Sequence, residues 1–134
     1  MKFMLMMHAP YGNGDYQIFH WKPEALQAHI GFMRRLNAEL KQAGEFVLAE
    51  GLAPPGQGRV VKAGASGQPE ITDGPYAESK EFLAGYWIID VENAERAYAI
   101  AARASLAPGQ DGKPLHMSIE VRSEEHTSEL QSLT

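Results

Sequence analysis

Asp73 stands first among the residues able to do chemistry. The Gly74-Pro75 step that follows it makes a tight turn, glycine tolerating positive φ and proline fixing its own, so the carboxylate is held at the end of an extended segment. Held there, it suits a general base, or it accepts neighbouring backbone N–H groups in an Asx turn, and the sequence leaves both readings open. His8 closes the opening apolar run beside Gly12-Asn13-Gly14; an imidazole there can relay a proton or simply pack. An imidazole with a carboxylate is the smallest acid–base set, so Asp73 and His8 are the candidate catalytic pair. Tyr76, Phe82, Tyr86 and Trp87 gather around the Asp73 segment, where they fill the core and a subunit contact or wall a pocket for a small organic molecule. Glu50 is placed to pair with Arg59, and His116 lies on the polar side of the last extended run. Tyr76, Tyr86, Trp87, Glu50, Arg59 and His116 are the candidate substrate contacts.

Other chemistries lack their patterns. His20, His29, His116 and Glu50 form no His-x-His or His-x-x-x-His pair, so no metal site and no cofactor are expected, and His29 reads as flanking a helical core stripe with one ring nitrogen bonded locally. The pairs Gly12/Gly14 and Gly56/Gly58 fail the dinucleotide fingerprint, since neither continues to a third glycine opening a helix. There is no Gly-x-Ser-x-Gly elbow and no phosphate-loop lysine. A net charge of -5 with no Lys/Arg cluster argues against nucleic acid and anionic lipid as partners. The absence of cysteine removes disulfides and thiolate chemistry. No apolar run approaches a membrane span or a signal-peptide core, so a cytoplasmic location is expected.

The stretch from Arg122 to Ser132 reads as the in-frame translation of a common sequencing adapter. It is set aside from fold reasoning, and His126 with it. Residues 122–134 carry one Arg and three Glu, and without them the net charge is -3. The domain is therefore assigned to residues 1–122, and 123–134 to a non-native or disordered tail.

The 134 residues, 44% of them hydrophobic, suffice for one core. Lys2–Met7 reads as a strand buried on both faces or nearly so. Pro23 suits a first helical position; Leu26, Ile30, Met33, Leu36 and Leu40 recur at helical spacing until Gly44 supplies a left-handed stop. Residues 45–52 and 59–62 read as strands around the Pro54-Pro55-Gly56-Gln57-Gly58 break, residues 63–67 as a turn and 70–72 as a third extended piece, with hairpins expected. Residues 85–91 have a central-strand composition, and Asn93 caps a second helix to about Ser105 with a stripe of Ala94, Ala97, Tyr98, Ala101 and Ala104. Residues 115–121 alternate as a final strand solvated on one face. This order is the ferredoxin-like βαββαβ plan of the α+β class, an antiparallel sheet with both helices on one face. Phe3, Trp87, Tyr86 and the methionines exceed what two helices on one side can cover, which predicts a homodimer pairing sheet on sheet.

The run Thr72-Asp73-Gly74-Pro75-Tyr76-Ala77-Glu78-Ser79-Lys80-Glu81, followed by Gly85-Tyr86-Trp87-Ile88-Ile89-Asp90-Val91, resembles the signature of the YCII-related proteins of the DGPF type. Lys2-Phe3-Met4-Leu5-Met6, Glu50-Gly51-Leu52 and Ile119-Glu120-Val121-Arg122 match other pieces of that pattern, so the likeness spans about residues 1–122. It departs at Tyr76, where the family more often has Phe, and in the tail from Ser123. The resemblance implies a dimeric α/β-barrel-type assembly of ferredoxin-like subunits, bacterial cytosolic origin and a largely unassigned activity. It also implies an association with extracytoplasmic-function sigma factors. Two functions follow as expectations: a cofactor-free lyase or isomerase acting on a small organic molecule through Asp73 and His8, and a non-catalytic small-molecule-binding or accessory module linked to transcription regulation.

Overall fold

The alternation of the opening strand decides the layering. In β1 (Lys2–Pro10) Phe3, Leu5, Met7 and Ala9 are buried while Met4, Met6, His8 and Pro10 are only half-buried, so one face is sealed and the other is not. This corrects the expectation of burial on both faces. The computed structural model that shows it describes residues 1–10, 18–74 and 80–124. Gly12, Gly14, Tyr76 and the adapter-like tail beyond Glu124 lie outside the described residues.

After a 3-10 turn at Ile18–His20 the chain enters α1 (Pro23–Gln42), with Pro23 in the first turn where its missing N–H costs nothing. The helix ends as its sequence dictates. Gly44 takes φ 73°, its N–H donates to Lys41 O at 3.1 Å, and Glu45 N–H donates to Leu40 O at 2.9 Å, the paired bonds of a Schellman stop. Leu36 and Leu40 seal the core, with His29 also buried, whereas Ile30 is 38% exposed and leaves the expected stripe.

The sheet has the order β2-β5-β1-β6, where β2 is Phe46–Gly51, β5 is Glu81–Asp90 and β6 is Ser118–Ser123. Every neighbouring pair is antiparallel, with β1 and β5 at the centre and a register irregularity between Met7 and His8. This is the ferredoxin-like order. Strands β3 (Arg59–Ala63) and β4 (Pro69–Asp73) make a separate hairpin turning through Gly67, φ 88°. The β2 segment therefore pairs with β5 and makes no hairpin with β3. Pro54 and Pro55 lack ladder N–H groups, and the chain leaves the sheet there through a 3-10 turn at Pro55–Gln57.

In α2 (Ala94–Ala104) the Asn93 side chain accepts from Arg96 N–H at 2.9 Å. Its buried stripe is Ala97, Ile100, Ala101 and Ala104, and Tyr98 is 57% exposed, so the stripe lies one residue round from the expected one. Both helices pack on Phe3, Leu5, Met7, Trp87 and Ile89, a single cluster. Phe3 and Trp87 are thus covered by helices and do not contribute to the open face, which is left to Met4, Met6, Leu48, Tyr86 and Ile88. Residues 115–117 are not strand because His116 sits at φ 52°; β6 starts at Ser118, and beyond its end Glu124 N–H donates to Lys2 O at 3.0 Å. Among the described residues no helix is long and apolar enough to cross a membrane.

Candidate functional site

Between α1 and the helix-facing side of the sheet lies a cavity of about 520 Å³. Its floor is small or flexible: Met7 and Ala9 of β1, Ala84 and Gly85 of β5, with the Trp87 ring beside them. Gly85 is there for the backbone, because a Cβ would stand 2.8 Å from Glu50 O, where β2 closes on β5. The loop from Leu52 to Gly56 forms one wall, and Ile18 and His20 form another.

Three residues of α1 line the roof at intervals of four: His29, Met33 and Asn37. That spacing puts them in one row along the helix. His29 Nδ1 lies 3.0 Å from Pro108 O, and a carbonyl can only accept, so Nδ1 carries the hydrogen and Nε2 the lone pair. The His29 ring lines the cavity, and among the described residues its Nε2 has no hydrogen-bond partner. The Trp21 ring meets His29 edge-on, centroids 5.4 Å apart at 86°. Burial holds the His29 imidazolium below its ordinary pKa of 6.5, against the smaller opposing effect of the Pro108 carbonyl. The site therefore holds a neutral, oriented imidazole at pH 7.

Asn37 is fixed by a different bond. Trp87 Nε1–H donates to Asn37 Oδ1 at 2.8 Å, and an indole nitrogen has no acceptor capacity, so the Asn37 amide is turned with its oxygen to the tryptophan and its NH2 away.

Of the residues singled out from sequence, Trp87, Tyr86 and Glu50 belong to this cavity's lining, although the alternation of β2 and β5 sends Tyr86 and Glu50 toward the open face. Asp73 does not line it: its side chain is 96% exposed at the end of β4, and Arg59 Nε lies 3.6 Å from its Oδ1. Arg59 therefore pairs with Asp73 and not with Glu50, because β3 runs beside β4 and not β2. The same guanidinium donates to Gly58 O at 2.7 Å and Gly56 O at 3.4 Å, which ties the hairpin to the loop bordering the cavity. His8 sits on the opposite sheet face, its Nε2 3.2 Å from Glu120 Oε1. The structure does not bring Asp73 and His8 to one site. His116 is exposed, though Leu115 and Met117 on either side line the cavity. Tyr76 lies outside the described residues. No group of three or more His, Asp or Glu side chains converges among the described residues.

Sequence reasoning missed His29 and Asn37 as site residues. His29 was placed beside the core stripe with a local bond, and its partner is 79 positions away. The available signal was a polar residue every fourth or eighth position within an apolar row, which is equally the pattern of a buried structural histidine.

An open-faced ferredoxin-like α+β domain with a small-molecule-sized cavity under its first helix is the class that fold and site define. The chain belongs to the YCII-related domain family, whose family model matches residues 1–110. Among curated proteins none matches the chain.

Proposed function

We propose that the cavity under α1 is a cofactor-free acid–base site for a small organic molecule, with His29 as the proton-transferring group. One observation carries this: the Pro108 carbonyl takes the Nδ1 hydrogen of a ring that lines the cavity, which leaves Nε2 as the nitrogen with the free lone pair. A base needs to be unprotonated at working pH, and burial keeps this one so. Taking a proton from a bound carbon or hydroxyl gives imidazolium and the ligand's anion. Returning that proton to a different carbon completes an isomerisation with no change in composition. Giving it to a departing group, as the ligand's electron pair forms a new double bond, completes an elimination. Asp73 then acts at one remove, through Arg59 and the carbonyls of Gly56 and Gly58, on the loop that walls the site.

The open face supports a homodimer. Met4, Met6, Leu48, Tyr86 and Ile88 present a half-buried apolar patch flanked by His8, Glu120 and Arg122. A second copy laid sheet on sheet covers that patch. Sedimentation of the wild type against Ile88→Glu, expected to change from dimer to monomer, tests it.

The functional test is solvent exchange. Enolisable ketones and unsaturated lactones are incubated with the protein in D2O and followed by NMR, alongside thermal shift, for wild type and His29→Asn, which keeps a donor for Pro108 but no base. Deuterium incorporation lost in His29→Asn is the expected result. Stabilisation by a probe without exchange in any probe would leave a binding module in place of an enzyme. Stabilisation by none would remove the small-molecule reading.

A further inference from the structure

Resting on that small-molecule reading, we propose that the cavity selects an uncharged, elongated, largely apolar molecule with a hydrogen-bond acceptor such as a carbonyl at one end, that Asn37 is the residue that binds this acceptor, and that carboxylates are refused.

The first support is the Asn37 amide. Its oxygen is committed to the Trp87 indole N–H at 2.8 Å, so the only hydrogen-bonding capacity it has left to offer is the donor pair on its nitrogen. That nitrogen bonds nothing among the described residues, and it is not sealed, since Trp21 Nε1 is the only sealed and unpartnered one there. A half-buried residue lining the cavity with spare donors has use for an acceptor and none for another donor.

The second support is spacing. His29 and Asn37 are eight residues apart on one row of α1, about 12 Å along the axis at the usual helical rise. Met33 fills the interval. One small group cannot reach both polar residues. A molecule touching both presents an acidic hydrogen to His29 at one end and an acceptor to Asn37 at the other, and lies across the methionine between.

The third is charge. The described lining contains no Lys or Arg, and its one carboxylate residue is Glu50. Neither residues 11–17 nor residues 75–79 contain a Lys or Arg in the sequence. The Arg59 guanidinium is engaged by Asp73 and by two backbone carbonyls. With His29 neutral, a carboxylate entering this cavity gives up its hydration and meets no lysine or arginine, a cost that an ester or ketone of the same shape escapes.

Matched pairs test this on the wild-type chain at pH 7.5: methyl 4-hydroxybenzoate against 4-hydroxybenzoate, and 4-hydroxyphenylacetone against 4-hydroxyphenylacetate, each titrated by calorimetry and by the fluorescence of Trp21 and Trp87. The neutral member of each pair is expected to bind at least about tenfold more tightly, the scale of a desolvated and unpaired charge. Asn37→Asp keeps an acceptor for Trp87 and deletes the donors; it is expected to weaken the neutral ligands by about tenfold or more, the scale of a lost hydrogen bond in a desolvated site. Carboxylates binding as well as the neutral probes would overturn the charge selection while leaving the small-molecule reading intact. Unchanged neutral affinity in a folded Asn37→Asp would overturn the role of Asn37. No binding by either member of both pairs would overturn the proposal together with the reading beneath it. The wild-type comparison needs no variant to fold.

Discussion

His29 Nδ1 donates to the Pro108 carbonyl at 3.0 Å, joining the first half of α1 to the segment between α2 and β6, 79 positions on. The bond has a structural and a chemical side. It closes one end of the helix layer over the sheet, and it fixes which ring nitrogen holds the hydrogen.

The pH dependence of stability follows from that ring. Burial lowers the folded-state pKa of His29 below 6.5, so in mildly acid solution the unfolded chain takes up a proton that the folded chain refuses. The contribution is complete above pH 6.5 and is lost as pH falls below it toward the folded value. Urea midpoints from pH 7.5 to 5.5 should fall more steeply for the wild type than for His29→Asn. Parallel curves would dissociate His29 from the effect.

Glu45 and Arg96 form a two-pronged pair, Nε to Oε2 at 2.9 Å and Nη2 to Oε1 at 2.8 Å, that holds the start of β2 to the start of α2. The hydrogen bond from Arg96 is the main reason the Glu45 carboxyl titrates below its ordinary 4.5. Glu45→Gln should cost about 1–2 kcal/mol at pH 7 by chemical denaturation. A depressed carboxyl contributes stability above its unfolded pKa and loses it as pH falls through the folded one, so the gap between wild type and variant should close as pH falls below 4.5.

Two glycines of the cavity behave oppositely. A Cβ on Gly85 would stand 2.8 Å from the backbone oxygen of Glu50, which cannot move without opening the β2–β5 ladder, whereas a Cβ on Gly51 meets nothing within 4 Å. Gly85→Ala should destabilise by about 1–3 kcal/mol and Gly51→Ala by no more than about 0.5 kcal/mol. Thermal unfolding of both variants checks the contrast.

Asn93 supplies the side-chain cap of α2, accepting from Arg96 N–H at 2.9 Å. Asn93→Ala should lower stability by about 1 kcal/mol, and Asn93→Asp should retain it. The order of the three proteins in urea midpoint is the readout.

What the sequence determined by itself were the elements and their order, because these depend on local rules. Pro23 and Gly44 bound α1, Asn93 caps α2, and residues 59–73 make a hairpin about Gly67, since proline, glycine and asparagine act on their own few dihedrals. The Thr72-to-Val91 run and the opening strand also sufficed to recognise the family. Helix faces were legible only to within a residue: Ile100 displaced Tyr98 from the buried stripe, because the choice between neighbours belongs to the sheet beneath. The site itself was a tertiary decision. Asp73 looked available at its turn, yet the β3–β4 register hands it to Arg59; His8 looked like its partner, yet strand alternation puts it on the far face with Glu120. His29 gained a fixed tautomer from Pro108, and Asn37 a fixed amide from Trp87, 50 positions away. No spacing in the sequence encodes those contacts. They exist because the crossing of α1 over the β1–β5 pair brings distant residues within hydrogen-bond reach, and only the folded chain sets that crossing.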